Sequence, residues 1–380
     1  MNNEPLSLYI HTPFCAKKCR YCDFYSVSYD KETADAFVAA IIQEWGLLKD
    51  RHRLGDEIST IYMGGGTPSL LTQEHLGLLK TELFDKLDLT KLQEWTIEAN
   101  PESFSSQKAQ LWKSMGATRL SLGVQSLRQK ELSFSGRLHS AQRALDVLND
   151  PVLKEFRSVG ADIIYALPGQ TPESLEKTLR AILSTGSIHH LSAYELTLSR
   201  ATPFGRHQTL LPVPSEELAV RMYEFIGNIC REYAMEQYEI SNYSLKGHRS
   251  VHNSAYWNHS PYIGLGPSAH SYLHPFRWSN GADVDEYITK ISSGTLPITL
   301  TEEIGRQELS AEMIFLGLRR SEGIDETDYF ARVGDQFVNK TRSMILDNYL
   351  SGGMIFQKDN RWALTDRGRL FADRIARDLI

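Results

Sequence analysis

The stretch HTPFCAKKCRYCDFYS, residues 11–26, decides the interpretation of this chain, since it holds three of the four cysteines in the protein. Cys15, Cys19 and Cys22 follow the spacing Cx3Cx2C, directly after LSLYIHT, a segment typical of a short β-strand. Three thiolates can hold an iron–sulfur cluster and leave one iron open to a further ligand. The spacing therefore predicts a [4Fe–4S] cluster with these three cysteines as its metal ligands.

A zinc site is the alternative for the same cysteines. Zinc normally takes four protein ligands, and His11 could supply the fourth. The remaining cysteine, Cys230, lies in the helical apolar pattern MYEFIGNIC, which favours a buried packing role.

Composition and charge exclude several classes of protein. The chain has 380 residues, 41% of them hydrophobic, and 41 Lys and Arg against 47 Asp and Glu. A net charge of −6 does not favour a nucleic-acid partner. The N-terminus lacks the pattern of a secretory signal, and no apolar run approaches the ~20 residues of a membrane span. Clustered cysteines without a disulfide framework are typical of a reducing compartment, so we expect a cytoplasmic protein without a membrane span.

The first 200 residues alternate between strand-like and helix-like segments. The strand-like segments are LSLYIHT, STIYMGGG, EWTIEAN, RLSLGVQS, ADIIYALPG and HHLSAYELT. One long helical stretch is expected to end near Asn149. Six strands alternating with helices predict an α/β fold with an incomplete (β/α)6 barrel. The unusual motifs CAKKCRYC, GGGTP, EANP, GVQS and LPGQT all follow strands, which is the catalytic face of such a barrel.

The pattern changes after about residue 200, and we expect three regions. Residues 1–235 form the barrel core, residues 236–298 a connecting segment, and residues 299–380 a smaller, mainly helical, winged-helix-like domain. The hairpin-like segment MIFQKDNRWALT supports the last assignment. A winged-helix regulator that reads DNA is a distant alternative, because the chain is acidic.

The Cx3Cx2C motif after the first strand resembles the radical S-adenosylmethionine (SAM) superfamily. The resemblance implies that SAM chelates the open iron of the cluster and is cleaved by an electron from it. It also implies roles for the strand-end motifs. The GGGTP turn would approach the methionine amino group, Glu98 would accept from that amine, and Arg137 would pair with the carboxylate. Gln125 and Asp162 would face the ribose.

Longer motifs narrow the resemblance to one group within that superfamily. LYIHTPFC, IYMGGGTPSLL, IEANPESF, GRLHS, DIIYALPGQT and YEISNYS resemble the group of the oxygen-independent coproporphyrinogen III oxidases and the HemW-type haem chaperones. By that resemblance, the SAM site is lined by Tyr9, Tyr21, Gly65, Gly66, Thr67, Glu98, Gln125, Arg137, Asp162 and Leu196. Either tyrosine could equally be a core aromatic.

Three features favour the chaperone branch. The oxidases resembled carry a further cysteine two residues after the third, where this chain has Phe24. They also carry a long N-terminal arm, whereas only 14 residues precede Cys15 here. The segment HNSAYW matches the HNxxYW pattern of the chaperones through His252, Asn253, Tyr256 and Trp257.

The HNxxYW segment has the chemistry to bind haem. An imidazole can ligate haem iron, and Tyr256 and Trp257 offer flat apolar surfaces. Lys246, His248 and Arg249 could meet the propionates. The alternatives are an aromatic turn packed under the open barrel, or ligation by another histidine: His259, His270 or His274.

The sequence thus predicts a haem chaperone that binds a [4Fe–4S] cluster, SAM and haem, and passes haem to an acceptor protein. The alternative is an oxygen-independent coproporphyrinogen III oxidase that acts in porphyrin biosynthesis. Neither the acceptor nor the electron donor is specified by the sequence, and both hypotheses leave open whether SAM is consumed.

Overall fold

Six parallel strands with helices between them form the first half of the computed structural model, which describes residues 6–380. The strands of this half are β1 (Leu6–Thr12), β2 (Phe14–Cys15), β3 (Val27–Ser28), β4 (Ile58–Gly65), β5 (Glu94–Ala99), β6 (Arg119–Gln125), β7 (Ser158–Tyr165) and β8 (His190–Glu195). Its helices are α1 (Lys31–His52), α2 (Gln73–Glu82), α3 (Ser106–Met115), α4 (Gln129–Ser135), α5 (Ala141–Leu148) and α6 (Pro172–Leu183). Strands β1, β4, β5, β6, β7 and β8 pair in that order and all in parallel, which confirms the predicted (β/α)6 barrel.

Local sequence explains where the helices of the barrel begin. Asp30, Thr72, Ser105, Ser140 and Thr171 each accept a hydrogen bond from the backbone N–H three residues on. These side chains satisfy donors that a helix N-terminus leaves free. Each strand then turns one face to the helices and the other to the barrel interior, because side chains alternate along a strand.

The long helical stretch expected to end near Asn149 is two helices, α4 and α5. Gly136 ends α4 with a φ of 81°, a left-handed conformation that glycine adopts without strain. The loop that follows carries Arg137 to the end of the barrel where the cysteines lie, so the break in the helix has a consequence for the site.

Residues 236–298 link the barrel to the C-terminal region, and they also add strands to both edges of the barrel sheet. The elements after β8 are α7 (Pro203–Arg206), α8 (Glu216–Glu232), β9 (Glu236–Gln237), β10 (Asn242–Ser244), α9 (Val251–Trp257), β11 (Tyr262–Leu265), β12 (His270–Leu273), β13 (Phe276–Asn280), α10 (Val284–Ser292) and β14 (Ile298–Glu303). Strands β10 and β9 add to β8, whereas β11 lies parallel to β1 and continues into β12, β13 and β14. The result is a twelve-stranded sheet.

Helix α9, formed by the HNSAYW segment, closes the barrel at the N-terminal ends of its strands. The Glu94 carboxylate accepts hydrogen bonds from the Ser250 hydroxyl and from the backbone N–H groups of Val251 and His252, each 3.1 Å long. Arg119 lies 3.9 Å from the same carboxylate, and both side chains are buried. We call Glu94 and α9, with its cap Ser250, the barrel floor.

The C-terminal region has a separate hydrophobic core, which runs from Ile304 to Leu379 and also includes Tyr272. Its elements are α11 (Arg306–Arg319), β15 (Ile324–Asp325), α12 (Glu326–Val333), α13 (Lys340–Ser351), β16 (Ile355–Lys358), β17 (Arg361–Leu364), α14 (Asp366–Arg369) and α15 (Ala372–Leu379). Strands β16 and β17 form the expected hairpin, and β15 pairs with β17. A three-stranded sheet among these helices is the expected winged-helix-like fold. In the described residues there are also four short 3-10 helices: Pro68–Leu70, Phe84–Lys86, Pro151–Glu155 and Gln208–Leu210.

Within residues 6–380, no helix combines the length and the apolar character needed to cross a membrane.

The barrel floor generates a prediction about stability. Replacing Glu94 with Ala leaves three donors and the buried Arg119 guanidinium without their shared acceptor. We expect Glu94→Ala to lower the free energy of unfolding by about 3–5 kcal/mol, as measured by urea denaturation. Glu303→Ala, at an exposed site on β14, should change it by less than about 0.5 kcal/mol. Equal stabilities of the two variants would contradict this account.

Candidate functional site

The cysteine motif lies on a loop that is closed at its base. Strands β2 and β3 pair Cys15 with Ser28, and the Tyr29 N–H donates to the Cys15 carbonyl. The loop between them carries Cys19 and Cys22, joined by a turn in which the Cys22 N–H donates to the Cys19 carbonyl. All three cysteines are partly exposed and free of disulfides. Pinning both ends of the loop fixes the three thiols at the carboxyl ends of the barrel strands.

The structure favours a cluster over a single zinc ion on this loop. Among residues 6–380, no three His, Cys, Asp or Glu side chains converge as a single-ion site requires. His11, the candidate fourth zinc ligand, has Nδ1 bonded to the Tyr9 hydroxyl and Nε2 bonded to the Tyr25 carbonyl. Cys230 is buried on α8 within the main core, and burial raises the pKa of its thiol to about 12. A cluster several atoms wide suits thiols that do not meet at one point.

Polar groups of neighbouring strands point at two of the sulfur atoms. The Thr67 hydroxyl donates to Cys15 Sγ over 3.5 Å, and Arg137 Nη1 donates to Cys19 Sγ over 3.6 Å. Hydrogen-bond donors directed at sulfur are typical of cysteines that ligate iron–sulfur clusters. The residues present therefore fit a cluster bound by three cysteines.

One cavity of about 470 Å³ extends from the cysteine loop into the barrel. Nine of the ten residues predicted for SAM line it: Tyr21, Gly65, Gly66, Thr67, Glu98, Gln125, Arg137, Asp162 and Leu196. The tenth, Tyr9, lies inside the barrel, with its ring 6.1 Å from the ring of Tyr62. The structure thus gathers residues from seven separate segments around one space.

Two partly buried carboxyl groups face this cavity. The Tyr62 hydroxyl donates to Glu98 Oε1 over 2.7 Å, and the Ser121 hydroxyl donates to Asp162 over 3.0 Å. Burial raises the pKa of Glu98 to about 7, and the nearby charge of Asp162 contributes to the rise. Burial also raises the pKa of Asp162. Within residues 6–380 neither carboxyl forms a salt bridge, so this part of the cavity favours a ligand with a positive charge and hydroxyl groups.

Arg137 is positioned by contacts to three different elements. Its Nη2 donates to the Asn100 side-chain oxygen at 2.6 Å and to the Gly123 carbonyl at 2.8 Å. Its Nε is buried and has no protein acceptor. A guanidinium held in this way, with one N–H still to be satisfied, suits a carboxylate ligand in the cavity.

Gln125 owes its direction to an irregularity in β6. The register between β6 and β7 shifts between Gly123 and Gln125, and Gln125 has a φ of 64°. A bulge of this kind redirects a side chain at the end of a strand. Here it places the Gln125 amide against the cavity.

The glycines of the GGGTP turn are required by the protein's own packing as well as by any ligand. A Cβ on Gly65 would lie 2.7 Å from the His11 ring, and one on Gly66 would lie 2.6 Å from the Phe14 carbonyl oxygen. A Cβ on Gly64 would lie 3.0 Å from the Glu98 carboxyl. The turn can therefore approach β1 and β5 only without side chains.

Sequence reasoning missed several residues that build the cavity. Asn100 positions Arg137 and also donates to the Thr67 hydroxyl at 3.0 Å. Ser192 and Tyr194 line the cavity from β8. Asn100 lies inside the EANP motif, and the alternation of polar residues along β8 could have identified the other two.

The four residues of the HNxxYW pattern do not share one surface. His252 is fully buried in the barrel floor, with Nδ1 2.8 Å from the Thr60 hydroxyl and Nε2 2.8 Å from the Tyr256 hydroxyl. Burial lowers its pKa to about 3, so its imidazole is neutral. Asn253 lines the barrel cavity, whereas Trp257 lies on the opposite side, under the Arg319 guanidinium. Ligation of haem iron by His252 stays a prediction, and it would require one of these hydrogen bonds to break.

The other candidate haem contacts are also separated. His259 Nε2 lies 2.8 Å from Glu312, and His274 Nδ1 lies 3.3 Å from the Tyr272 hydroxyl. His270 begins β12 at an exposed position. Arg249, expected near the propionates, forms an ion pair with Glu322 of the C-terminal region. No single haem pocket follows from this set.

The cysteine loop generates the second prediction. Cys19→Ala should lose the cluster, because two thiolates remain, whereas Cys230→Ala should keep it. After anaerobic reconstitution, iron and sulfide content and the thiolate-to-iron charge-transfer band measure the outcome. The assignment fails if Cys230→Ala abolishes the band or if Cys19→Ala retains it.

Comparison with protein families agrees with the two regions of the fold. Residues 9–182 match the model described as the radical SAM superfamily, and residues 304–371 match the HemN C-terminal domain. The structure resembles that of coproporphyrinogen III oxidase (HemN) from Escherichia coli, with a TM-score of 0.85 at 20% identity, over 99% of this chain and 90% of the other. That likeness establishes the fold.

Similar curated proteins match over nearly their whole length. The protein named "Heme chaperone HemW" from Lactococcus lactis subsp. lactis is 32% identical over 97% of this chain and 95% of its own. The protein of the same name from Bacillus subtilis is 31% identical over 97% of both chains. At this identity and coverage, the chain belongs to the HemW family of radical SAM proteins.

Proposed function

We propose that this protein is a haem chaperone that holds a [4Fe–4S] cluster, binds SAM in the barrel cavity and passes haem to an acceptor protein. The observation that carries the proposal is one cavity with three free thiols at its mouth and Glu98 and Asp162 further in. When bound, the cluster supplies an electron and an iron that is open to a ligand. The names of the similar curated proteins support the haem-carrying role.

The chain's own residues explain how SAM would be oriented. The carboxyls of Glu98 and Asp162 would accept hydrogen bonds from the amine and the ribose hydroxyls of SAM. Arg137 Nε, which lacks a protein acceptor, would donate to the SAM carboxylate. These groups lie on different strand ends, so SAM would be held at several points around the cavity.

We also propose the three regions 1–235, 236–298 and 299–380, supported by the separate C-terminal core. Strand β14 spans the second boundary, because it begins at Ile298. The free cysteines are compatible with a cytoplasmic protein. An acceptor protein and an electron donor are the partners that this function requires.

A coproporphyrinogen III oxidase would use the same cavity, but this chain lacks a residue that such an enzyme is expected to carry. Decarboxylating coproporphyrinogen III requires each propionate to be positioned against the reactive carbon of SAM. The position where the oxidases resembled carry a further cysteine is Phe24, and its side chain is exposed. A phenyl ring cannot supply a thiol there, which favours haem binding over turnover.

A comparison of binding with turnover tests the proposed function. We expect the reconstituted protein to bind haem in a spectroscopic titration and to form no protoporphyrinogen IX from coproporphyrinogen III with SAM and reductant under anaerobic conditions. A coproporphyrinogen III oxidase assayed in parallel controls for the reductant. Turnover by this protein would establish the enzyme alternative, and absence of haem binding would refute the chaperone.

The raised pKa of Glu98 gives the next prediction. The pKa of about 7 exceeds the ordinary 4.5, so in the free protein the carboxyl takes up a proton as the pH falls through 7. Since the ionised form accepts from the SAM amine, SAM affinity should fall by up to about tenfold between pH 8 and pH 6. Glu98→Gln should bind SAM more weakly at pH 8 and show less pH dependence, in calorimetric titrations of reconstituted protein. Glu303→Gln is the control and should keep the wild-type profile; a wild-type profile in Glu98→Gln would contradict the assignment.

A further inference from the structure

We propose that haem binds across the mouth of the barrel cavity, on a surface formed by Phe24, Leu138, Lys17 and Lys18, which we call the cysteine rim. The inference rests on the proposed haem-chaperone function and gives that function a site. All four residues line the same cavity as the three cysteines.

The rim is apolar on more than one side. Phe24 is 64% exposed and Leu138 is 50% exposed. They come from two segments: the loop after Cys22 and the loop between α4 and α5. Single exposed apolar side chains are ordinary, but two at the mouth of one cavity mean that a ligand can bury them together.

The rim also carries positive charge without internal partners. Lys17 and Lys18 are exposed on the cysteine loop, and neither forms a salt bridge with a carboxylate in the described part of the chain. An apolar surface beside two free ammonium groups complements a flat apolar molecule with carboxylate groups. Haem, with its macrocycle and two propionates, has this chemistry.

The polar interior of the cavity suits SAM, so the cysteine rim at its mouth stays free to bind haem. Glu98, Asp162 and Arg137 face the interior and suit a small zwitterion with hydroxyl groups, as argued above for SAM. An apolar macrocycle would bury these two carboxyl groups without giving them hydrogen-bond donors or counter-ions, which is unfavourable. Haem would therefore lie outside SAM, next to the cysteine loop.

The rim offers no imidazole to the haem iron. The one histidine among the described residues that line this cavity is His190, at the start of β8. It is buried, and its Nε2 lies 2.8 Å from the Tyr238 hydroxyl. Since the hydroxyl of Tyr238 also accepts from the Ser250 N–H, His190 belongs to the floor end of the cavity. The rim would thus hold the porphyrin by contact and charge, so that iron-free protoporphyrin IX should bind about as tightly as haem.

The test compares two porphyrins on reconstituted full-length protein by fluorescence quenching. Wild type should bind haem and protoporphyrin IX with dissociation constants within about threefold of each other. The double variant Phe24→Ala/Leu138→Ala should weaken both by about tenfold or more, because it removes two apolar contacts. Lys17→Glu/Lys18→Glu should weaken both several-fold at low salt, with a smaller effect at high salt. The matched controls Phe330→Ala and Lys358→Glu, at exposed positions in the C-terminal region, should bind like wild type.

Three outcomes distinguish a failure of this inference from a failure of the proposed haem-chaperone function. Absence of haem binding by wild type would defeat the proposed function. Haem binding that is unchanged in the rim variants but lost in His252→Ala would place haem at α9 and overturn the rim. Because Phe24 lies close to Cys22, the cluster absorbance of each variant is recorded, and Leu138→Ala provides a single variant outside the cysteine loop. Wild-type affinity in Leu138→Ala, with an intact cluster, would also overturn the inference.

Discussion

The buried carboxylate of Glu94 is the contact on which the interior of this barrel depends. A six-stranded barrel does not close on itself, so its interior polar groups need partners from elsewhere in the chain. Glu94 provides this link by accepting hydrogen bonds from Ser250, Val251 and His252 and so fixing α9 across the floor. Strands β9 to β14 cover the two edges in turn. Burial inside the barrel raises the pKa of Glu98.

The interior and the mouth of the cavity above the floor differ in polarity and charge. Its interior carries carboxyl groups and a fixed guanidinium, whereas its mouth carries exposed apolar side chains and free lysines. The cysteine loop lies between the two, pinned at its base by β2 and β3. One cavity can therefore receive a polar ligand inside and an apolar anionic ligand outside, and both would lie near the same three thiols.

The parts of the structure that sequence predicted are those set by local pattern. The six strands and the cysteine motif each depend on residues within a few positions of one another. The floor could not be predicted in this way, because His252 meets Thr60 and the N–H of His252 meets Glu94, more than 150 residues away. The aromatic HNSAYW segment therefore left two interpretations open, a haem contact and an aromatic turn packed under the barrel, and the structure encloses its histidine in the floor. Sequence analysis also missed the helix break at Gly136. The position of the Arg137 side chain, which follows that break, depends on contacts to Asn100 and Cys19, and both lie far away in the sequence.

The rim also bears on the difference between carrying haem and acting on a porphyrinogen. An oxidase has to hold each propionate inside the barrel, close to the reactive carbon, which requires many fixed contacts. A chaperone has to release its cargo, and a surface of solvent-exposed side chains and screened charges allows release because each contact is weak. Lys17 and Lys18 would turn the propionates outward, away from Glu98 and Asp162. In that orientation the haem edge would stay accessible to an acceptor protein.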